Sequence, residues 1–232
     1  QVDEYDVKLS PCSIKAKVDA GELDGWDDPR APTLASVKRR GIRGAAVVES
    51  MVELGTSTSN VDLSMSSVYA NNRDIVDDES DRYFLVRDGE RLPLSGGPDA
   101  GHPPLHPDHE ERGTRTVPAG DAVLLESGDV PAVGERVWLK GYGAVERTGS
   151  GLSYTDDDIE VVRSGDVDVV HWVPADSSVP VRMRTMDGDV IGRAEPAFGD
   201  VPVDELVQFE RVGFARVDAT GGDETVTYYA HP

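Results

Sequence analysis

The chain contains a single cysteine, Cys12, among its 232 residues. One cysteine excludes an internal disulfide framework and any zinc site built from several cysteines. The sequence also lacks a long apolar run and a signal peptide, so it predicts neither a membrane-spanning helix nor export. We therefore expect a cytoplasmic protein without a membrane partner.

Lysine is also scarce. The chain has only Lys8, Lys15, Lys17, Lys38 and Lys140 beside 18 arginines, and its 44 acidic residues give a net charge of −21. Such an excess of acid ordinarily indicates a protein that avoids nucleic acid. We favour adaptation to concentrated salt, because the acidic residues are spread along the chain instead of forming a tail. At about 1 M salt the Debye length is roughly 3 Å, so RNA would be bound by close hydrogen bonds, stacking and shape.

The densest positive cluster lies in residues 25–42, which read GWDDPRAPTLASVKRRGI. A helix is predicted over residues 32–40, with Thr33 or Asp28 as its cap and Gly41 as its stop. Its last residues are Lys38, Arg39 and Arg40. Cations at a helix C-terminus suit the macrodipole, which is one explanation of the cluster. On so acidic a chain, the cluster also indicates a polyanionic partner.

The first third of the chain has helical periodicity. Further helices are predicted over residues 13–20 and 45–54, and a fourth follows a cap at Asn60 or Asp62. In the helix at 45–54, the residues at helical spacing are Ala45, Val48, Met51 and Val52. We expect Leu63, Val68 and Ile75 of the fourth helix to point inward, and Met51 and Met65 to fill the core.

From Arg82 onward the pattern is that of short strands separated by Gly, Pro and Asp. The predicted strands are residues 82–86, 122–126, 136–140, 159–162, 168–173, 181–184, 206–212, 214–218 and 225–230. Residues 89–107 are predicted to be the longest stretch without strand character. Composition alone thus predicts a small helical domain followed by one or two β domains of the barrel or sandwich type.

Several longer motifs follow one another along the chain. They are KLSPCSI at residues 8–14, GWDDPRxPTLxxxxRRGI at 25–42, HPDHEERGTR at 106–115, HWVP at 171–174, AEPA at 194–197 and VQFERVGFARVD at 207–218. In sequence and in order these motifs resemble archaeal glutamyl-tRNA synthetases and the related glutaminyl-tRNA synthetases. Because the motifs are collinear, the resemblance covers essentially the whole chain.

The resemblance implies an α+β fold with a small helical stem-contact domain and two antiparallel β-barrels that bind the anticodon. The end of the catalytic signature loop and the helical domain would occupy residues 1–78. The proximal barrel would comprise residues 79–127 and 202–232, and the distal barrel, inserted into it, residues 128–201. The nucleotide-binding half of the enzyme would precede Gln1.

The resemblance places Lys8 and Ser10 in the signature loop, where fixed cations stabilise charge on the ATP phosphates. Pro11, Cys12 and Ser13 stand where related sequences often show Lys, Thr or Ser, and two lysine positions are missing, so the loop is degenerate. Cys12 has no histidine partner nearby in sequence, and we do not expect it to act as a nucleophile.

Arg82 and Gln208 are the candidate base readers. An arginine fork and an amide can both hydrogen-bond splayed bases, and the resemblance places both residues at positions that contact the anticodon loop. The alternative is a salt bridge from Arg82 to Asp81 or Asp78 and an ordinary strand-edge amide. The candidate contacts to RNA backbone are Arg115, Lys38, Arg39, Arg40 and Arg43, for which a solvated surface is the alternative.

Three histidines, His102, His106 and His109, lie close together in sequence, but their spacing with intervening prolines does not match a helical ligand pair. We expect no metal site, and expect His106 to order a turn. The three tryptophans are Trp26, Trp138 and Trp172. We expect them to be buried, with Trp26 holding its loop against the helical domain.

The resemblance implies the tRNA-recognition half of a glutamate–tRNA ligase. The full-length enzyme would use ATP and Mg²⁺ to attach glutamate to tRNA-Glu, and tRNA-Gln stays open as a second substrate. This fragment alone would be a monomer, would bind neither cofactor and would be inactive. Three alternatives are the same half of a glutaminyl-tRNA synthetase, a stand-alone RNA-binding β-barrel protein, and a domain that binds an acidic protein.

Overall fold

The computed structural model describes residues 10–55, 64–165 and 167–232. Within these ranges the α-helices are α1 Pro11–Asp19, α2 Leu34–Arg39, α3 Gly44–Leu54, α4 Met65–Val76 and α5 Glu160–Arg163. A bilayer-spanning helix is absent from the described ranges. The cap predicted at Asn60 or Asp62, and the inward position predicted for Leu63, lie outside the described residues.

The strands begin at Arg82 and continue to the C-terminus. They are β1 Arg82–Tyr83, β2 Leu85–Arg87, β3 Gly89–Ser95, β4 Ala100–Gly101, β5 Val117–Pro118, β6 Ala122–Glu126, β7 Arg136–Leu139, β8 Gly143–Arg147, β9 Leu152–Asp156, β10 Asp168–Val170, β11 Val173–Pro174, β12 Val179–Thr185, β13 Gly188–Ala194, β14 Leu206–Phe209, β15 Gly213–Ala219 and β16 Thr225–His231. Short 3-10 turns lie at Glu110–Arg112, Ser127–Asp129 and Pro196–Asp200. Two curled, mostly antiparallel sheets of seven strands result, and β4 pairs with β5 separately. The predicted α+β fold class is confirmed.

The first sheet has the order β1-β14-β15-β16-β12-β13-β2. Its two outermost strands, β1 and β2, are separated in the chain by one residue, Phe84. The two edges of the sheet therefore meet at Phe84, and the sheet curls into a barrel, which we call the first barrel. The Phe84 side chain is fully buried at this point.

The second sheet has the order β10-β7-β8-β9-β3-β6-β11 and closes in the same way. Its edge strands β10 and β11 are separated by His171 and Trp172, both of which are buried. Trp172 and Phe84 belong to one apolar cluster, so the closing points of the two barrels share a core. The second sheet is inserted between β2 and β12 of the first, and we call it the inserted barrel.

The inserted barrel does not coincide with residues 128–201, the range expected for the distal barrel. The inserted barrel includes β3 and β6, because β3 pairs with β6 and β9. The hairpin β12–β13 belongs to the first barrel, because β12 pairs with β16 and β13 pairs with β2. These long-range pairings, and not local composition, decide which residues each barrel contains.

Two local predictions are wrong. Residues 89–107 contain the seven-residue strand β3, in spite of Pro93, because closure of the inserted barrel requires a strand between β6 and β9. The predicted strand at 159–162 is the short helix α5, where the Asp158 carboxylate accepts a hydrogen bond from the Glu160 N–H. Valine favours strands only where a neighbouring strand is present to pair with it.

Helix α3 buries a different face from the one its apolar residues indicate. Ala46 and Ser50 are buried, whereas Val48, Met51 and Val52 are exposed. The small residues allow α4 to approach closely, and Asn71 of α4 donates a hydrogen bond to Ser50 Oγ at 2.9 Å. The prediction that Met51 fills the core is therefore wrong, whereas Met65 is buried as predicted.

The helical part packs against the first barrel. Val76 of α4 shares an apolar cluster with Leu206, Phe214 and Ala230 from β14, β15 and β16. Gly41 follows α2 with a φ of 94°, and a Cβ there would lie 2.5 Å from Leu206 Cδ1. A larger residue would strain this left-handed backbone and displace the Leu206 side chain, so the predicted helix stop is also a packing point.

Arg115 is the centre of the contact between the two barrels. It is 4% exposed, and its Nε lies 2.6 Å from the Glu195 carboxylate while Nη2 donates to Glu210 at 3.2 Å. Glu195 in turn accepts a hydrogen bond from the Phe84 N–H at 2.9 Å. Burial raises the pKa of Glu195, and the ion pair with Arg115 opposes that rise. The Arg115 guanidinium also lies over the Phe84 ring at 4.5 Å.

We expect Arg115→Met to lower the free energy of unfolding by about 3–5 kcal/mol, because it leaves the Glu195 carboxylate buried without a cation. Urea unfolding in molar KCl measures the loss. Arg163→Met is the matched control, since Arg163 and its partner Glu160 are both exposed and their pair contributes at most about 1 kcal/mol. Equal losses in the two variants would contradict the structural role of Arg115. Adding Glu195→Gln to Arg115→Met should recover part of the loss.

Candidate nucleic-acid interface

The three basic residues predicted to contact RNA at the end of α2 have three different environments. Lys38 is exposed and has no ion-pair partner in the part of the chain that the structure describes. Arg39 donates to both Asp218 oxygens, at 3.0 and 2.8 Å, and to Asp27 at 2.8 Å. The hydrogen bonds with Asp218 raise the pKa of Arg39. Arg40 is 1% exposed, and its burial does not fit the predicted contact with RNA backbone.

Asp28 organises the loop that precedes α2. Its carboxylate accepts hydrogen bonds from the N–H groups of Asp24 and Arg30 and from the Arg30 guanidinium, at distances between 2.7 and 3.0 Å. Burial raises the pKa of Asp28, but these hydrogen bonds outweigh it and lower the pKa to about 2. Asp28 is therefore the centre of its loop. Thr33 caps α2 by accepting from the Ser36 N–H at 3.0 Å, which confirms one of the two predicted caps.

A groove of about 1120 Å³ lies between helices α2–α3 and the β14–β15 hairpin. We call it the helix–barrel groove, and its lining residues are Asp27, Leu34, Ala35, Val37, Lys38, Arg39, Gly41, Ile42, Arg43, Gly44, Val47, Val48, Asp204, Leu206 and Arg216. Four of these are cations and two are carboxylates, but Asp218 and Glu79 also pair with groove cations, so the groove is close to neutral. It is the candidate surface for RNA backbone because Lys38 and Arg43 are exposed there on a chain whose net charge is −21.

Two of the groove cations have charge to offer a ligand. Lys38 is exposed, and the Arg43 guanidinium, 52% exposed, has a 3.1 Å ion pair with the equally accessible Glu79. Exposed pairs of this kind contribute about 0–1 kcal/mol and are readily exchanged for another anion. Arg216 was not among the predicted contacts, and it pairs with Asp204 and Asp218 within the groove wall.

Arg82 and Gln208, the predicted base readers, are neighbours in the first barrel. They are register partners in the parallel pair β1–β14, and the Gln208 N–H donates to the Asp81 carbonyl at 2.9 Å. Paired residues of adjacent strands lie about 5 Å apart and point to the same face of the sheet. We call this pair the reading edge.

The side chains of the reading edge are only partly engaged. Arg82 Nη2 lies 3.3 Å from an Asp77 oxygen. The ion-pair partner of Arg82 is therefore Asp77, and not Asp81 or Asp78. Arg82 Nε is buried and has no hydrogen-bond acceptor among the described residues. An unsatisfied buried donor costs about 1–3 kcal/mol, which a rearrangement toward a ligand acceptor would recover.

Arg211 is a candidate that sequence reasoning missed. It lies in the turn after Gln208 with a φ of 63°, and its guanidinium donates to both Asp129 oxygens at 2.6 and 2.8 Å. Arg211 and Asp129 also line a cavity of about 840 Å³, the barrel–barrel cavity, with Arg136 and Asp168. Arg211 thus has a left-handed backbone conformation in the first barrel, and its side chain is held by a residue of the inserted barrel. Residues with strained backbones cluster at binding sites. The signal in the sequence is the VQFER motif at residues 207–211, which contains Arg211 as well as Gln208.

Of the two predicted catalytic residues, Ser10 is the first residue that the structure describes, and Lys8 lies outside the described residues. Ser10 precedes α1, where its carbonyl accepts hydrogen bonds from the Ser13 and Ile14 N–H groups. The described residues of the predicted signature loop, residues 10–13, include no cation that could bind a phosphate. These residues do not fit an ATP or Mg²⁺ site, and we derive no step through either group.

The histidines and tryptophans have structural surroundings. Buried His106 accepts a hydrogen bond from the Asp108 N–H at Nδ1 and has Nε2 3.0 Å from the Asp77 carbonyl, which ties its turn to α4. No cluster of three potential ligands for a metal ion occurs among the described residues. Trp138 and Trp172 are buried as predicted, but Trp26 is 45% exposed and does not hold its loop by burial. Asp28 has that role instead.

Models of two families match the β part of the chain. Both are described as tRNA synthetases class I (E and Q), anti-codon binding domain; one matches residues 80–163 and the other residues 169–218. The first match ends with α5 and the second runs from β10 into β15, so together they cover both barrels except for residues 164–168 and the chain after residue 218, which includes β16. The reading edge and Arg211 lie within the matched ranges.

Similar proteins extend the match to the helical part. The chain is 63% identical over its whole length to a glutamate–tRNA ligase of Natronomonas pharaonis, and 57% identical to one of Haloarcula marismortui. A glutamate–tRNA ligase of Methanosarcina barkeri is 37% identical over 97% of the chain. The chain spans about two fifths of the length of these curated relatives, namely 41%, 42% and 40%.

Since the folded pKa of Asp28 is depressed, its contribution to stability is present above the unfolded pKa of 3.8 and is lost as the pH falls toward about 2. We expect Asp28→Asn to lower the free energy of unfolding by about 2 kcal/mol at about pH 6, and by about half of that at about pH 3. Urea unfolding at both pH values measures the change. Asp176→Asn, at an exposed carboxylate, is the control. A loss from Asp28→Asn that is the same at both pH values would contradict the assignment.

Proposed function

Because the chain belongs to the family of class I tRNA synthetases for glutamate and glutamine and carries its anticodon-binding domain, we propose that it is the tRNA-recognition portion of a glutamate–tRNA ligase. Its share of the reaction is to orient tRNA through the helical part and to read the anticodon through the barrels. The observation that carries the proposal is the pairing of Arg82 with Gln208 in β1–β14.

The chemistry of this reading edge suits unpaired bases. A guanidinium donates through a planar fork, and an amide both donates and accepts, so the two together can distinguish base edges that are splayed out of a stack. Arg211 adds a second guanidinium at the end of the same hairpin, next to the barrel–barrel cavity. We propose that the anticodon bases bind along this line of three residues.

The helix–barrel groove supplies the contacts that carry no sequence information. Lys38 and Arg43 have charge available for phosphates, and phosphate contacts fix the position of a nucleic acid without reading its bases. Arg40 and Arg115 are not in the proposed contact set, because both are buried in protein contacts. Arg39 forms part of the groove wall, where its guanidinium already binds the Asp218 carboxylate.

The whole enzyme would attach glutamate to tRNA-Glu, with ATP and Mg²⁺ activating the glutamate carboxylate and pyrophosphate leaving, and tRNA-Gln is a second candidate substrate. We assign none of those steps to the residues of this chain, and we propose that the chain by itself binds tRNA as a monomer and forms no glutamyl-adenylate. Exchange of pyrophosphate into ATP by the chain alone would contradict this division of labour.

The relatives favour glutamate over glutamine, because those compared are glutamate–tRNA ligases. A stand-alone RNA-binding protein is less favoured, since the relatives are more than twice as long as this chain. The acidic surface and the pairing of most described arginines with carboxylates fit work in the concentrated salt of a cytoplasm. Under such conditions short-range contacts, and not long-range attraction, would select the RNA.

We expect the fragment to bind folded tRNA-Glu in molar KCl and to lose about tenfold in affinity when the anticodon is replaced, because base-edge hydrogen bonds are then lost. Arg82→Ala should weaken binding of tRNA-Glu by a similar factor and remove the preference between the two RNAs. Fluorescence anisotropy with labelled RNA measures both effects.

Arg163→Ala is the control for the loss of one arginine, since its side chain is 68% exposed and pairs only with nearby Glu160 among the described residues. The unaltered fragment could instead bind tRNA-Glu, the anticodon-substituted RNA and an unrelated tRNA with equal affinity. That result would contradict reading of the anticodon and leave only RNA binding without sequence preference. Absence of binding to every RNA would contradict it and favour a protein partner.

The double variant Lys38→Gln, Arg43→Gln should weaken binding of all tRNAs by the same factor, because phosphate contacts do not depend on sequence. The slope of log affinity against log salt should become shallower by about one for each phosphate that the variant no longer neutralises. Titrations at several KCl concentrations measure the slope, with Arg91→Gln as an exposed control on the inserted barrel. A change in anticodon preference in the double variant would contradict this role.

A further inference from the structure

Arg40 is one of the largest fully buried side chains of the protein, although it lies in a run of basic residues that sequence alone assigns to a surface. Its Nε donates to the Tyr229 carbonyl at 3.0 Å, and its Nη2 donates to the Ala230 carbonyl at 2.5 Å and to the Tyr69 hydroxyl at 2.7 Å. The guanidinium therefore joins the end of α2 to α4 and to β16, the last strand of the first barrel.

The two carbonyls are available to Arg40 because the sheet is irregular where it meets them. Strand β12 pairs with β16 only as far as Tyr228. On the other side of β16, a register shift places His231 opposite Phe214 and Tyr229 opposite Ala215, so that Ala230 has no partner in β15. A bulge of this kind leaves backbone groups outside the ladder, and buried carbonyls need donors from elsewhere. The fork of Arg40 supplies them.

Neighbouring residues make the same joint close and directional. The Arg39 guanidinium pairs with the Asp218 carboxylate of β15, and Gly41 lies against Leu206 of β14. Asn72 of α4 is 2.8 Å from the ring of His231 at the end of β16. Bonds from consecutive residues onto neighbouring strands of one barrel leave the helical part little freedom to rotate against that barrel.

We propose that Arg40 is a positioning residue, which holds the groove cations Lys38 and Arg43 of the helical part and the reading edge at one separation so that a single tRNA contacts both at once. The inference rests on the proposed function. Two linked contacts bind far more tightly than either alone only when the link keeps them at the matching distance. Arg40 contributes to RNA affinity through geometry, without touching the RNA.

The test compares whole tRNA-Glu with two of its parts, the isolated anticodon stem-loop and the tRNA from which the anticodon arm is deleted. Arg40→Lys keeps the charge but cannot fork, and His231→Ala removes the ring that Asn72 of α4 contacts at the end of β16. Affinities are measured in molar KCl on variants whose circular dichroism and thermal unfolding show them to be folded. Arg91→Gln serves as the control for an exposed arginine.

Both joint variants should bind each partial RNA within about twofold of the unaltered fragment, and should bind whole tRNA about tenfold more weakly or worse. A direct RNA contact by Arg40 would instead weaken one partial RNA in Arg40→Lys alone. General damage to the fold would weaken all three RNAs alike. Either result, or unchanged binding of whole tRNA, overturns the inference. If the unaltered fragment shows no anticodon preference, the proposed function itself fails, and the inference fails with it.

Discussion

The closure of two sheets by one chain is the constraint on which the rest of this structure depends. In each barrel the edge strands are adjacent in sequence, so that a single short kink brings the two edges together: Phe84 in one barrel, His171 and Trp172 in the other. A closed sheet has no edge left to pair with other chains. The shared burial of Phe84 and Trp172 makes the two closures one core. Closure also explains the topology, because the chain leaves the first barrel at β2 and must return at β12 to complete it.

Arginines connect the parts that the closures create. Arg115 links Glu195 of the first barrel with Glu210 at the β14–β15 turn, and Arg211 reaches from that turn to Asp129 of the inserted barrel. Arg40 makes the equivalent connection between the helices and β16. A planar fork with several donors suits such joints better than a lysine does. The scarcity of lysine is thus consistent with the architecture, and most of the positive charge is used inside the protein or paired on its surface.

The sequence predicted the fold class well, because collinear motifs constrain topology, and the Thr33 cap because caps are local. It failed where distant residues decide the outcome. The apolar residues of α3 indicated the wrong buried face, because α4 packs closely against the small residues Ala46 and Ser50. Arg82 and Gln208 were both candidates from the resemblance. That they lie side by side could not be predicted, because it depends on a parallel pairing between strands far apart in the chain. The partners of Arg40 lie 189 and 190 residues away, and no local pattern distinguishes a buried arginine from an exposed one.

The central claim is that the barrels read the anticodon while the helices bind the rest of the tRNA. Chemical footprinting of tRNA-Glu on the fragment in molar KCl tests it most directly, since it maps protection nucleotide by nucleotide. The account predicts strong protection of the anticodon bases, lost in Arg82→Ala, together with backbone protection elsewhere that survives in this variant. Protection that leaves the anticodon bases reactive would contradict the account, whatever the affinity of the complex.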